Sequence, residues 1–157
     1  MPSTRRNFIQ KSLALIAYFS SASSTLIYST LAKATSWPVE KFIESEYSIA
    51  LKKIIGDQNL LETDKINLKL PRIAENGAVV PLTITSSLGN IETFSILVEK
   101  NPIPLVAQFN LTETSEAYIS ARIKMAETSD VIIIAKADEQ FYSSKQRVKV
   151  TIGGCGG

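Results

Sequence analysis

At 157 residues, 45% hydrophobic and 20% charged, the chain has ordinary globular proportions, enough for one domain with a real core and too little for two. With no histidine and a single cysteine it excludes histidine-based triads and acid–base schemes, most zinc sites and any thiolate cluster, so neither metal nor cofactor is expected. Seventeen Lys and Arg against fifteen Asp and Glu give a formal charge of +2, whose placement along the chain decides what it means.

The first segment, Thr4-Arg5-Arg6-Asn7-Phe8-Ile9-Gln10-Lys11, is followed by a moderately apolar run from Ser12 to Leu31 and then by Ala32-Lys33-Ala34. Paired arginines, an apolar pair one residue later and weak hydrophobicity resemble a twin-arginine export signal over residues 1–34, with Ala32 and Ala34 as the cleavage motif. That segment holds four cations (Arg5, Arg6, Lys11, Lys33) and no acid, so 17 against 15 becomes 13 against 15, and the mature charge is −2. The positive excess belongs to the signal, and no basic patch with interleaved aromatics points to nucleic acid. After the signal no stretch approaches the roughly 18–20 apolar residues of a membrane span. The mature protein is expected in the periplasm, without membrane insertion. In that oxidising compartment an unpaired cysteine signals intermolecular pairing or a reactive thiol.

Ser36-Trp37-Pro38 then offers an N-cap and a first-turn proline, and Val39, Ile43, Tyr47, Ala50 and Ile54 recur at helical spacing until Gly56-Asp57 closes the helix. It should pack at one end of the domain or along one edge. From Ile66 the period changes to two: Ile66/Leu68/Leu70, Val80/Leu82/Ile84, Phe94/Ile96/Val98, Leu105/Ala107/Phe109/Leu111, Ile119/Ala121/Ile123 and Val148/Val150/Ile152 alternate as half-buried strands do. Val131–Ala135 is apolar throughout and predicts a central strand. Turn residues separate these runs, at Glu75-Asn76-Gly77, Leu88-Gly89-Asn90, Asn101-Pro102, Thr112–Ser115, Glu127–Asp130 and Ala137–Glu139. Seven short strands without intervening helices predict a mainly β fold, an antiparallel sandwich of immunoglobulin-like type, with a closed barrel as the alternative. The helix and sandwich together span residues 35–152.

The carboxylates are scattered over a helix and turns where solvated charge is normal, and they form no catalytic constellation. Cys155 stands apart because of its neighbours, Gly153 and Gly154 before it and Gly156 and Gly157 after it. Glycines let the backbone adopt almost any φ/ψ and leave the sulfur unshielded, so residues 153–157 read as a mobile carrier arm. Extended at about 3.3 Å per residue, it reaches roughly 16 Å beyond the sandwich. Nothing in the arm activates the thiol, since it offers neither a cation nor a helix N-terminus. A thiol displayed but not activated fits a covalent carrier rather than an enzyme nucleophile.

Val148–Gly157, V-K-V-T-I-G-G-C-G-G, resembles the C-terminal signature of the SoxY family, sulfur-carrier subunits of the bacterial thiosulfate-oxidising (Sox) system. Leu70–Pro81, Asn101–Leu111 and Ala121–Thr128 resemble family segments in the same order. The resemblance implies an immunoglobulin-like sandwich that pairs with a SoxZ-like β-sandwich subunit as a heterodimer, and a sulfur cycle carried on Cys155. A c-type cytochrome complex loads thiosulfate onto the thiol, a thiohydrolase releases sulfate, and a sulfane dehydrogenase oxidises the remaining sulfur. Two rival readings stand beside it. One is an exported structural or adhesive sandwich tethered by a Cys155 intermolecular disulfide; the other is a carrier using the carboxyl of Gly156-Gly157 as a thiocarboxylate, whose need for ATP fits export poorly.

Overall fold

Nine strands, one α-helix and a single 3-10 turn form from residues 38–151, the part of the chain that the computed structural model describes. These residues belong to the second of two units, residues 1–36 and 37–157, into which the chain divides. The strands are β1 (Leu60–Glu62), β2 (Ile66–Lys69), β3 (Ile73–Ala74), β4 (Val80–Ser86), β5 (Ile91–Val98), β6 (Leu105–Asn110), β7 (Tyr118–Ile123), β8 (Ser129–Ala137) and β9 (Gln140–Val150). The larger sheet runs in the order β1-β9-β8-β5-β6, with β3 also paired to β9, and the smaller is β2-β4-β7.

The period-two pattern explains how the sheets meet, because each strand turns every second residue inward. Val80, Leu82 and Ile84 of β4 face Phe94, Ile96 and Val98 of β5 and Val131, Ile133 and Ala135 of β8 across one core, and most of these side chains are fully buried. Each such side chain removed from water contributes about 1.5–3 kcal/mol, so this layer is the main source of stability.

Strand β8 pairs with β5 on one side and β9 on the other. It is therefore the central strand that its apolar run predicts. Its outward residues are buried as well: Ile132 and Ile134 join Leu97, Leu105 and Phe141 in a second cluster closed by Ala50 of helix α1 (Tyr47–Ile55). The helix thus lies across the outer face of the larger sheet, not at an end or an edge, and the domain has three layers. A run without alternation requires a cover on both faces, and α1 is the second cover. Ser95, on this same face of β5, is buried with its Oγ unpartnered among the described residues.

Three further departures from the pattern have local causes. The helix is shorter than its spacing predicts: Val39–Lys41 forms a 3-10 turn, and α1 starts only at Tyr47. Between them the Ser45 N–H donates to the Pro102 carbonyl at 3.1 Å and Glu46 is extended (φ −67°, ψ 151°), so a tertiary bond replaces the next helical turn. Val39 and Ile43 consequently stay 61% and 44% exposed. At the other end the reading holds: Gly56 caps α1 at φ +63°. The sandwich is not wholly antiparallel, since β1 and β3 both pair with β9 in parallel; both reach β9 through long connections, which parallel pairs require. Finally, the register slips where Ile96 opposes Ala107 but Leu97 opposes Leu105. This bulge at Val106 turns Leu105 to the helix side while Ala107 and Phe109 stay on the sandwich side, so the four residues of that run do not share one face.

Candidate functional site

Every residue that the sequence marks for chemistry or export lies outside the described residues: Cys155 with Gly153, Gly154, Gly156 and Gly157, and Arg5, Arg6, Ala32 and Ala34. What the structure does show is where the cysteine segment is rooted. Strand β9 delivers the chain to Thr151, four residues before Cys155.

That root is held from both flanks. On the β8 side, Thr128 Oγ1 accepts the Val150 N–H at 3.0 Å and donates to the Val150 carbonyl at 3.3 Å. On the other side the Lys149 N–H donates to the Arg72 carbonyl at 2.9 Å and the Thr151 N–H to the Ala74 carbonyl at 3.1 Å. Thr151 Oγ1 adds a bond to the Glu75 carbonyl at 3.3 Å, and Val148 beneath is fully buried. Neither Thr128 nor β3 is visible in the sequence pattern. Thr128 falls in a stretch that reads as a turn, and a two-residue strand is too short to show a period. The only sequence signal for the clamp is a hydroxyl residue directly before an apolar strand.

The same end of the sandwich carries an open apolar groove of about 670 Å³ between β6 and β7, the unpaired edges of the two sheets. Val106 and Phe109 of β6, Ala121, Arg122 and Ile123 of β7, and Phe42, Ile103 and Lys124 from the adjoining connections line its mouth and the groove behind it. Asn101 ties this mouth to the loop after β7: its Nδ2 donates to the Lys124 carbonyl at 2.8 Å, and its Oδ1 accepts the Ala126 N–H at 2.9 Å.

Perturbed titrations lie elsewhere. Burial, followed by the Glu99 carboxylate, raises the Tyr47 phenol above its usual value. Hydrogen bonds to Glu92 and Glu139 raise Lys136, and a hydrogen bond to Glu62 raises Lys145. Among the described residues no three His, Cys, Asp or Glu side chains gather as metal ligands would.

The described residues thus define a mainly β, sandwich-like protein whose last strand is hydrogen-bonded on both flanks at its C-terminal end. The chain belongs to the SoxY family: the model of sulfur oxidation protein SoxY matches residues 51–155, a span that ends on the cysteine itself. Among solved structures it is similar to the sulfur carrier protein SoxY from Chlorobium limicola f thiosulfatophilum, at 33% identity over 67% of this chain and 96% of that one, with a TM-score of 0.61. It also resembles a superoxide reductase (neelaredoxin) from Ignicoccus hospitalis, at 10% identity over 57% of this chain and 82% of that one, with a TM-score of 0.50. A point variant of that reductase gives 8% identity over 59% and 94%, with a TM-score of 0.52. At such identities the reductases share the fold alone. No curated protein sequence matches the chain.

Proposed function

We propose that this protein is a covalent sulfur carrier in thiosulfate oxidation, with the Cys155 thiol as the attachment point. One observation carries the reading: the SoxY family match extends through residue 155, and the chain is 33% identical to a sulfur carrier of that family. The rigid root supports it, because a displayed thiol needs a fixed origin as much as a free end.

In this reading the thiol and thiosulfate join with loss of two electrons and one proton to give Cys-S-S-SO3⁻, the electrons passing to a c-type cytochrome complex. Water then attacks the terminal sulfur under a thiohydrolase, releasing sulfate and leaving a persulfide that a sulfane dehydrogenase oxidises further. The chain itself is a carrier, not an enzyme. Gly153, Gly154, Gly156 and Gly157 provide clearance so that the adduct enters several partner sites. The sandwich, of immunoglobulin-like type in this account, pairs with a SoxZ-like β-sandwich subunit, and Arg5-Arg6 directs export to the periplasm.

Intact mass spectrometry of protein recovered from thiosulfate-grown cells tests this. A thiosulfonate (Cys-S-S-SO3⁻) or persulfide increment on the wild type that is absent from Cys155→Ser supports it. Equal loading of the serine variant would overturn it and make the terminal carboxyl the leading candidate. Cys155→Ser should leave the thermal midpoint unchanged, since the residue follows the last core strand.

A further inference from the structure

The two sheets end on the same side of the sandwich in edges of unlike quality. Strand β6, the edge of the larger sheet, is interrupted by the bulge at Val106. Strand β7, the edge of the smaller one, pairs with β4 in an unbroken register from Thr85 with Tyr118 to Val80 with Ile123. The Ser86 N–H donates to the Ala117 carbonyl at 3.1 Å, so the pair next in this register is a hydrogen-bonded one. Hydrogen-bonded and non-hydrogen-bonded pairs alternate along an antiparallel ladder. Ile119, Ala121 and Ile123 therefore bond to β4, and Ser120 and Arg122 turn their backbone N–H and C=O away from it, to the open edge.

Beside this edge the sandwich is left unfilled. Ala107 and Phe109 of β6 and Ala121 of β7 turn inward yet stay half-buried, while Leu82 and Ile96 deeper in the same core are sealed. The three half-buried residues line the groove of about 670 Å³. A further strand laid along β7 sets every second side chain into that gap and removes its apolar lining from water.

Charge says what such a strand carries. Arg122 and Lys124 are the only charged residues lining the groove, both are exposed, and neither is in an ion pair among the described residues. Two positions apart at the end of β7, they fall on its outer face, alternating with the inward Ala121 and Ile123. The carboxylates nearest to them along the chain are Glu116, beyond the other end of β7, and Glu127, paired with Lys100 at 3.6 Å. Glu40, Glu44 and Glu46, with Lys41 among them, belong to the segment that the Ser45–Pro102 bond holds against the connection into β6, and none of them lines the groove. An acidic β6 side thus faces a basic β7 side, which directs an acidic strand to β7.

We propose that the β7 edge and its groove form a docking site for an extended segment of another protein, apolar at alternate positions with carboxylates between them. The segment adds to β7 as a further strand of the smaller sheet. Its backbone pairs with Ser120 and Arg122, its apolar side chains enter the groove, and its carboxylates meet Arg122 and Lys124 on the outer face. No described strand of this chain alternates apolar residues with carboxylates, so the occupant is a different protein and not a second copy. The site stands apart from the carrier reading, since no part of it involves the thiol.

Two synthetic peptides, acetyl-SVEVEVS-amide and acetyl-SVKVKVS-amide, titrated into the isotope-labelled protein, test the site. The acidic peptide should shift the amide resonances of Phe109, Ser120 and Arg122 and slow hydrogen exchange at Ser120 and Arg122. It should bind roughly tenfold more tightly than the lysine peptide at about 0.05 M salt, and the gap should close toward about 0.5 M. Arg122→Glu with Lys124→Glu, both exposed side chains, should reverse the preference at an unchanged thermal midpoint. The site is overturned by no binding of the acidic peptide at about 1 mM, by shifts confined to other strands, or by a preference that the charge-reversed variant keeps. Shifts at the same residues that grow with protein concentration alone also overturn it, by making a second copy the occupant. None of these outcomes bears on sulfur loading of Cys155.

Discussion

Thr128 is the residue on which the root depends most, because one hydroxyl both accepts from and donates to Val150. Thr128→Val keeps the shape and removes both bonds, leaving the half-buried Val150 amide without its partner. We expect a loss of about 1–2 kcal/mol in a urea titration. Amide exchange at Val150 and Thr151 should accelerate by more than the global change explains. Uniform acceleration across β9 would show that the clamp acts only through overall stability. Residue-scale features of this kind were not legible in the sequence, where Thr128 reads as one turn residue among several. Cys155 is marked in the sequence for the opposite reason, by its identity and its glycine neighbours and not by any contact, and it lies outside the described residues.

Elements were legible where one face alone is buried and obscure where two are. The spacing of Val80/Leu82/Ile84 and Phe94/Ile96/Val98 gives strand and inner face together. Val131–Ala135 gives a central strand but not its second cover, since a continuous apolar run does not say what lies on either side. The first half of β9 reads as polar, although Phe141 is buried in the cluster that α1 closes and Ser143 is buried as well. Ile134→Ala tests the three-layer arrangement, because Ile134 points away from the inter-sheet core and is nevertheless 1% exposed. It should cost about 2–4 kcal/mol in chemical denaturation; a cost below about 0.5 kcal/mol would mean that α1 does not seal that face. The β8–β9 hairpin offers a gain instead. Its two-residue loop places Asp138 at φ 48° and Glu139 at φ 61° between paired Ala137 and Gln140, a type I′ turn that prefers glycine at its second position. Glu139→Gly should stabilise by up to about 1 kcal/mol, read as a higher thermal midpoint, even though it removes the 3.2 Å contact with Lys136, which keeps Glu92 at 2.8 Å.

At the scale of the whole molecule, Tyr47, Lys136 and Lys145 all hold their protons more tightly than free side chains do. A group whose folded pKa is raised contributes stability in full below its unfolded value and loses it as pH rises through the folded one. The thermal midpoint should therefore be insensitive to these groups up to about pH 9 and fall above about pH 10. Tyr47→Phe should make that fall shallower; an unchanged slope would place the alkaline loss on the lysines. Strand β9 gives the molecule a further property. It is the shared partner of β8, β1 and β3, and its first residue bonds to Asn59 across 81 positions of sequence. During synthesis β1 and β3 are made early and then wait, edges open, for a strand that emerges much later, so the larger sheet is completed in a late, non-local step of the kind that makes folding slow. Until then the nascent chain presents unpaired strand edges, which are open to mispairing until β9 arrives.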